Sequence, residues 1–177
     1  FIPPSPVGDF DIGMCKSVKC TVVSETSWFN NARVVQDMKD AGGLLVNQYI
    51  IPWSNTGVKD GYNGNNAGGY SALIDLELLD GSKKKILLDC GWNPEWMDEC
   101  FKREGVDKML KNKEIDVLVL SHEHLDHFFG IESVLKNCPD IPIIVPKGFY
   151  KEGFDLLKGA SFPVAHLKND YPHTGPI

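Results

Sequence analysis

Six consecutive residues, His122-Glu123-His124-Leu125-Asp126-His127, concentrate three of the chain's five histidines together with two carboxylates. Imidazole and carboxylate are borderline donors that suit Zn²⁺, Fe or Mn²⁺ better than calcium. In an extended segment the side chains at i and i+2 point the same way, so His122 and His124 can grip one cation together. Where the chain then turns into a helix, Asp126 and His127 are carried round to a second position nearby. A polar surface loop that happens to be rich in histidine would explain one or two imidazoles. It would not explain an apolar strand that runs straight into four donors. That strand, residues 115–120 (IDVLVL), has no polar residue after Asp116, as expected at the centre of a buried sheet. Sites in open α/β sheets gather at the carboxyl ends of such strands.

The elements that must position this hexapeptide follow from pattern. Residues 18–24 (VKCTVVS) read as a strand rich in β-branched side chains. Residues 30–40 read as a helix stopped by Gly42-Gly43, and 44–51 as a second apolar run ending at Pro52. Residues 54–69 (SNTGVKDGYNGNNAGG) favour left-handed turns over packed elements. So long a loop is either plain surface chain or a candidate lid. Residues 70–78 and 84–88 predict a hairpin turning at Asp80-Gly81. Asn93 is placed to cap a helix with Pro94 at its first position, running to Glu104 and stopped by Gly105. A short helical piece over 107–111 follows. Beyond the strand at 115–120 come a helix over 128–136, a strand over 141–145 and a helix over 148–157. A hairpin followed by β-α-β-α predicts an α/β layered domain with a mixed sheet. Trp92, Trp96, Phe128 and Phe129 stand beside these turns, either as an apolar pocket wall or as plain core.

Composition narrows the function classes. The chain has 177 residues with 18 Lys+Arg against 24 Asp+Glu, a formal charge of −6. That length suits one domain with a real core, or a large part of a bigger one. A net negative chain whose longest basic block is Lys83-Lys84-Lys85 argues against nucleic acid as the main partner. The longest uncharged run, 41–58, is interrupted by Asn47, Gln48, Pro52, Ser54 and Asn55, so no membrane span is expected. Five cysteines without a Cys-x-x-Cys pair make a closed thiolate zinc site improbable. A Cys15–Cys20 disulfide would fit an exported protein, whereas isolated buried thiols are the commoner outcome for such a set. Residues 1–17 read as an extended leader that opens Phe1-Ile2-Pro3-Pro4-Ser5-Pro6, with the domain over 18–177. A first residue other than Met fits either a removed upstream segment, an export signal in one reading, or a sequence that simply starts inside a longer chain. A periplasmic or exported location is therefore expected, with the cytoplasm as the alternative.

The pattern His122-x-His124-x-Asp126-His127 resembles the defining motif of the metallo-β-lactamase superfamily. Leu87-Leu88-Asp89-Cys90-Gly91 resembles that family's strand-end Leu-Asp-x-Gly signature, and the resemblance runs from about Val18 to the end of the chain. Within the superfamily, Gly69-Tyr70-Ser71-Ala72-Leu73-Ile74, Leu88-Asp89-Cys90-Gly91 and the Gly105-Val106-Asp107 turn are most similar to one branch. That branch holds the dihydropterin–ribofuranosylaminobenzene phosphate synthases and related hydrolases. The oxygen-reducing di-iron branch has Glu where this chain has His124, so the motif resembles the hydrolytic kind.

The resemblance implies an αββα sandwich, of which this chain represents the N-terminal half, with the rest supplied by further residues or another chain. It implies two divalent ions, zinc first and manganese or iron as alternatives, with His122 and His124 on one and Asp126 and His127 on the other. Asp126 is the expected catalytic residue, and Asp89 the expected support that orients a ligand imidazole, the alternative being an ordinary turn aspartate. His166 and His173 read as surface histidines, although either could serve as a third ligand. A Cys/Ser-His-x-Gly segment that supplies that ligand in the resembled branch is absent here. The implied reaction is hydrolysis of a small ester, phosphoester or lactone-like substrate by metal-bound hydroxide. Two readings compete with it: a pterin-pathway synthase of the same superfamily, and a non-catalytic subunit of an assembly. A small-molecule partner is expected, and a homo-oligomer is compatible with the sequence.

Overall fold

β-branched side chains at Val18, Thr21, Val22 and Val23 favour β1 (Cys15–Ser24), which starts three residues ahead of the expected strand and so takes in the end of the supposed leader. The structure, a computed structural model, describes residues 14–25, 68–160 and 169–177. Residues 1–13, the helix expected over 30–40, the apolar run over 44–51, most of the loop over 54–69 and His166 lie outside the described residues.

β1 pairs antiparallel with β2 (Ser71–Leu78), and β2 pairs antiparallel with β3 (Lys83–Leu88). The turn between β2 and β3 is the expected one: Gly81 takes a positive φ of 84°, and Asp80 Oδ1 accepts from the Ser82 N–H at 2.9 Å. From β3 onward the strands run parallel, through β4 (Val117–Val119) to β5 (Ile143–Ile144), giving the order β1-β2-β3-β4-β5. The change of direction follows from the connections. A tight turn forces antiparallel neighbours, and a helical crossover returns the chain parallel. The sheet is therefore mixed and the domain α/β, as the sequence predicts. β4 and β5 are shorter than expected, although Ile115, Leu120 and Ile141, just outside them, stay buried in the core.

α1 (Pro94–Glu104) starts and stops where its sequence dictates. Asn93 Oδ1 accepts from the N–H groups of Glu95 and Trp96, and Gly105 closes the helix in the left-handed conformation at φ 74°. α2 (Val106–Lys111) follows directly. The helix expected over 128–136 is instead two, α3 (Leu125–Phe128) and α4 (Ile131–Leu135), broken at Phe129-Gly130. At the break the Gly130 N–H donates to Gly91 O at 2.9 Å instead of into a helix, and a Cβ there would lie 2.1 Å from the Cys90 carbonyl oxygen, so only glycine fits. Continuous apolar burial of Phe128, Phe129, Ile131, Val134 and Leu135 hides that break from periodicity. α5 (Lys151–Leu157) completes the helices among the described residues.

The helices cover one face of the sheet, where Leu73, Leu87, Leu118 and Ile143 are all buried. The paired positions on the other face are Val18 and Val22 of β1, Ile74 and Leu76 of β2, Ile86 of β3 and Ile144 of β5. They are exposed or only half-buried. Trp92, Phe128 and Phe129 belong to the core under the helices, and Trp96 packs against it while donating its indole N–H to Ser24 Oγ at 2.9 Å. They form core rather than an open pocket wall. All five cysteines are free. The Cys15–Cys20 disulfide does not form, since both lie on β1 and five residues of strand separate them by about 16 Å. Cys90, Cys100 and Cys138 are the buried thiols. No helix among the described residues is long and apolar enough to cross a membrane.

Candidate metal centre

β3 ends at Leu88, and the next residue, Asp89, extends the ladder by one bond: its N–H donates to Val119 O at 2.9 Å. Asp89 then adopts φ 57°, in the left-handed region that non-glycine residues enter rarely and aspartate more readily than most. This turns its side chain into the protein, where it is only 1% exposed. A buried carboxylate is costly unless it is fully hydrogen-bonded. Asp89 meets that demand with three donors. Oδ1 accepts from the Ser121 N–H at 2.7 Å, and Oδ2 accepts from the Ser121 hydroxyl at 2.7 Å and from His127 Nδ1 at 2.7 Å.

The motif leaves β4 at the same end of the sheet. Residues 121–124 belong to no helix or strand, and α3 begins at Leu125, so Asp126 and His127 sit on a first helical turn whose N–H groups at His127 and Phe128 both reach His124 O at 3.0 Å. Two neighbouring strands clamp this turn. The Tyr70 N–H donates to Asp126 O at 2.7 Å, and the Cys90 N–H donates to His127 O at 2.9 Å. The approach at Gly69 is so close that a Cβ there would lie 2.5 Å from Asp126 O. Glycine is therefore required at that position.

The fold brings the three imidazoles of the motif together, with Asp126 beside one of them. The ring centroids of His122 and His124 are 4.5 Å apart, and those of His122 and His127 are 4.3 Å apart. Asp126 Oδ2 lies 3.7 Å from His127 Nε2. Glu123, between the first two histidines, is buried. His173 is elsewhere. Its Nε2 bonds to Ile141 O at 2.7 Å, ahead of β5 and so at the amino end of the parallel strands, opposite the cluster.

Electrostatics distinguish the imidazoles. The hydrogen bond to Asp89 holds His127 above the ordinary imidazole pKa, against the opposing effect of burial. His122 is pushed below that value by burial first, then by the neighbouring His127 and His124. Two polar groups of this network escape sequence reasoning. Ser121 Oγ lies 2.8 Å from His122 Nδ1, and the Tyr70 ring stands 5.9 Å from that of His127. Their only signal in the sequence is adjacency to the motif and to Gly69.

Among the described residues, no group of three or more His, Cys, Asp or Glu is already arranged around a single metal position. The donor chemistry nevertheless fits a divalent cation. His127 and His122 each have Nδ1 engaged by a neighbour, which directs Nε2 outward, and a ligand imidazole with its other nitrogen held by a carboxylate or hydroxyl is the usual arrangement in metal sites.

The sequence profile described as the metallo-beta-lactamase superfamily matches residues 68–174, which contain every group described above. Over 87 residues the chain is 33% identical to a 7,8-dihydropterin-6-methyl-4-(beta-D-ribofuranosyl)-aminobenzene-5'-phosphate synthase of Methanocaldococcus jannaschii, an overlap of 49% of this chain and 28% of that protein. It is 29% identical over 87 residues to a hydroxyacylglutathione hydrolase of Hamiltonella defensa, covering 48% of this chain and 34% of the hydrolase. The matched part thus spans about a third of the length of these relatives.

Proposed function

Since the chain belongs to the metallo-beta-lactamase superfamily, we propose that it is a metal-dependent hydrolase of a small ester, phosphoester or lactone-like substrate. The single observation that carries this reading is the buried Asp89 carboxylate, bonded at once to His127 Nδ1 and, through Ser121, connected to His122 Nδ1. An ordinary turn aspartate has no reason to be buried behind two imidazoles.

In this reading His122, His124, Asp126 and His127 hold two divalent ions, zinc first and manganese or iron as alternatives. Such ions supply Lewis acidity toward a carbonyl or phosphoryl oxygen and make water more acidic. The protein contributes the rest. Asp89 fixes the ring plane of His127 and keeps the Nδ1 proton in place. The Tyr70 and Cys90 N–H groups hold the backbone of Asp126 and His127, so the Asp126 carboxylate is presented from a rigid turn. Asp126, 24% exposed at its side chain, can also orient an incoming water by accepting its hydrogen bond.

A synthase reading has specific support, because the M. jannaschii relative carries that name at 33% identity. It uses the same donors for a condensation. A non-catalytic role draws on the absence, among the described residues, of a ready three-donor cage.

Elemental analysis of the full chain after exposure to zinc, manganese or iron, followed by assays on generic esters, phosphoesters and a reduced pterin substrate, separates the three. The hydrolase reading expects close to two ions per chain and turnover of an ester or phosphoester. Bound metal with turnover only of the pterin substrate would replace it with the synthase, and a chain that takes up no metal would overturn both.

A further inference from the structure

We propose that Ser121 is a positioning residue whose hydroxyl fixes His122 in the Nδ1–H form, so that one carboxylate, Asp89, sets the donor nitrogen of two imidazoles. The protons leave little choice. Ser121 Oγ has a single proton and lies 2.7 Å from Asp89 Oδ2, an oxygen that as carboxylate can only accept. The same Oγ lies 2.8 Å from His122 Nδ1. If the hydroxyl donates to Asp89, it must accept from His122, and Nδ1 carries the proton. The opposite arrangement would turn the Ser121 proton toward His122 and remove one of three donors from a carboxylate that is 1% exposed. A hydrogen bond to an ionised acceptor is roughly twice as strong as a neutral one, so the first arrangement wins.

His122 Nε2 is then the nitrogen with the free lone pair, as it is in His127, where Asp89 Oδ2 takes the Nδ1 proton directly at 2.7 Å. Among the described residues His124 has no such partner at either ring nitrogen, and it is exposed. The two imidazoles that Asp89 governs are thus preset, one directly and one at a distance of one hydroxyl. The consequence for metal affinity rests on the function proposed above; the tautomer itself does not.

The test uses the full chain, labelled with ¹⁵N at histidine and kept metal-free, with parent, Ser121→Ala and Ser121→Thr compared at a pH where the rings are neutral. In the parent, both His122 and His127 should show a protonated Nδ1 and a bare Nε2. In Ser121→Ala, His122 should shift to a mixture of tautomers while His127, still bonded to Asp89, stays as it was. Ser121→Thr keeps the hydroxyl and should restore the parent pattern. Zinc affinity, read by competition with a chelator, should fall about 10- to 100-fold in Ser121→Ala and recover in Ser121→Thr. An unchanged His122 spectrum in Ser121→Ala would overturn the proposal, and so would an equal change at His127, which would mean that the network had collapsed. A shifted His122 in a protein whose parent binds no zinc would leave Ser121's role standing and remove the metal reading instead.

Discussion

Carboxylates stand at both ends of the sheet, and they do different things. At the carboxyl ends of β3 and β4, Asp89 is buried and receives three protein donors, each at 2.7 Å. At the opposite end, Asp75, Glu77 and Asp116 pair with Lys85, Lys16 and Lys84 on the surface, where the Lys84 and Asp116 side chains are 52% and 36% exposed. Water competes for every bond at the second end, and such pairs are worth about 0–1 kcal/mol. At the first end the carboxylate itself is shut off from water, so it dictates the orientation of each group bonded to it. The lesson is that a charge organises its neighbours only where it has been taken out of solvent, and that is where the three histidines of the motif stand.

The contrast can be pressed from its strongest consequence to its weakest. Asp126→Ala should lower turnover of a metal-replete sample by about two orders of magnitude or more while leaving the urea midpoint near that of the parent. Equal turnover would remove Asp126 from the catalytic centre. Asp89→Ala strips acceptors from Ser121 and His127 in a dry setting and should cost about 3 kcal/mol in urea unfolding; a loss below about 1 kcal/mol would show that the two ends of the sheet are energetically alike. Gly130→Ala forces a methyl group against the Cys90 carbonyl, a backbone group that cannot swing aside, and should cost about 1–3 kcal/mol in the same measurement.

At the solvent end, Asp116→Asn should cost at most about 1 kcal/mol, and added salt should erase the difference. The Lys84 ammonium, then the Lys85 N–H, hold the Asp116 carboxyl below its ordinary pKa. A depressed folded-state value stabilises the protein above the unfolded pKa and ceases to do so as pH falls through the lowered value. The small difference between parent and Asp116→Asn should therefore fade on acidification below pH about 4. A difference that grew toward low pH would contradict that sign.

Much of this architecture is readable from short windows of chain. The Asn93 cap, Pro94, the Gly105 stop and the Asp80-Gly81 turn depend on neighbours within four residues, and each appears where local chemistry puts it. The donor hexapeptide is legible for the same reason. Where a window misleads, a distant contact is responsible. The helix expected over 128–136 breaks at Gly130, where the backbone N–H is taken by the Gly91 carbonyl, 39 residues earlier in sequence, and the Cys90 carbonyl leaves room for glycine alone. Periodicity registers burial and not the direction from which the neighbour comes.

By itself the sequence determined the family, the α/β order of elements and the set of groups able to hold a cation, because these follow from residue type and close spacing. Tertiary structure alone decided that Asp89 faces His127 across 38 residues, that Ser121 links the same carboxylate to His122, and that His173 lies at the other end of the strands. The physical reason is that hydrogen-bond partners are chosen by where parallel strands end side by side. That placement arises when separate segments pack together, and no single segment encodes it.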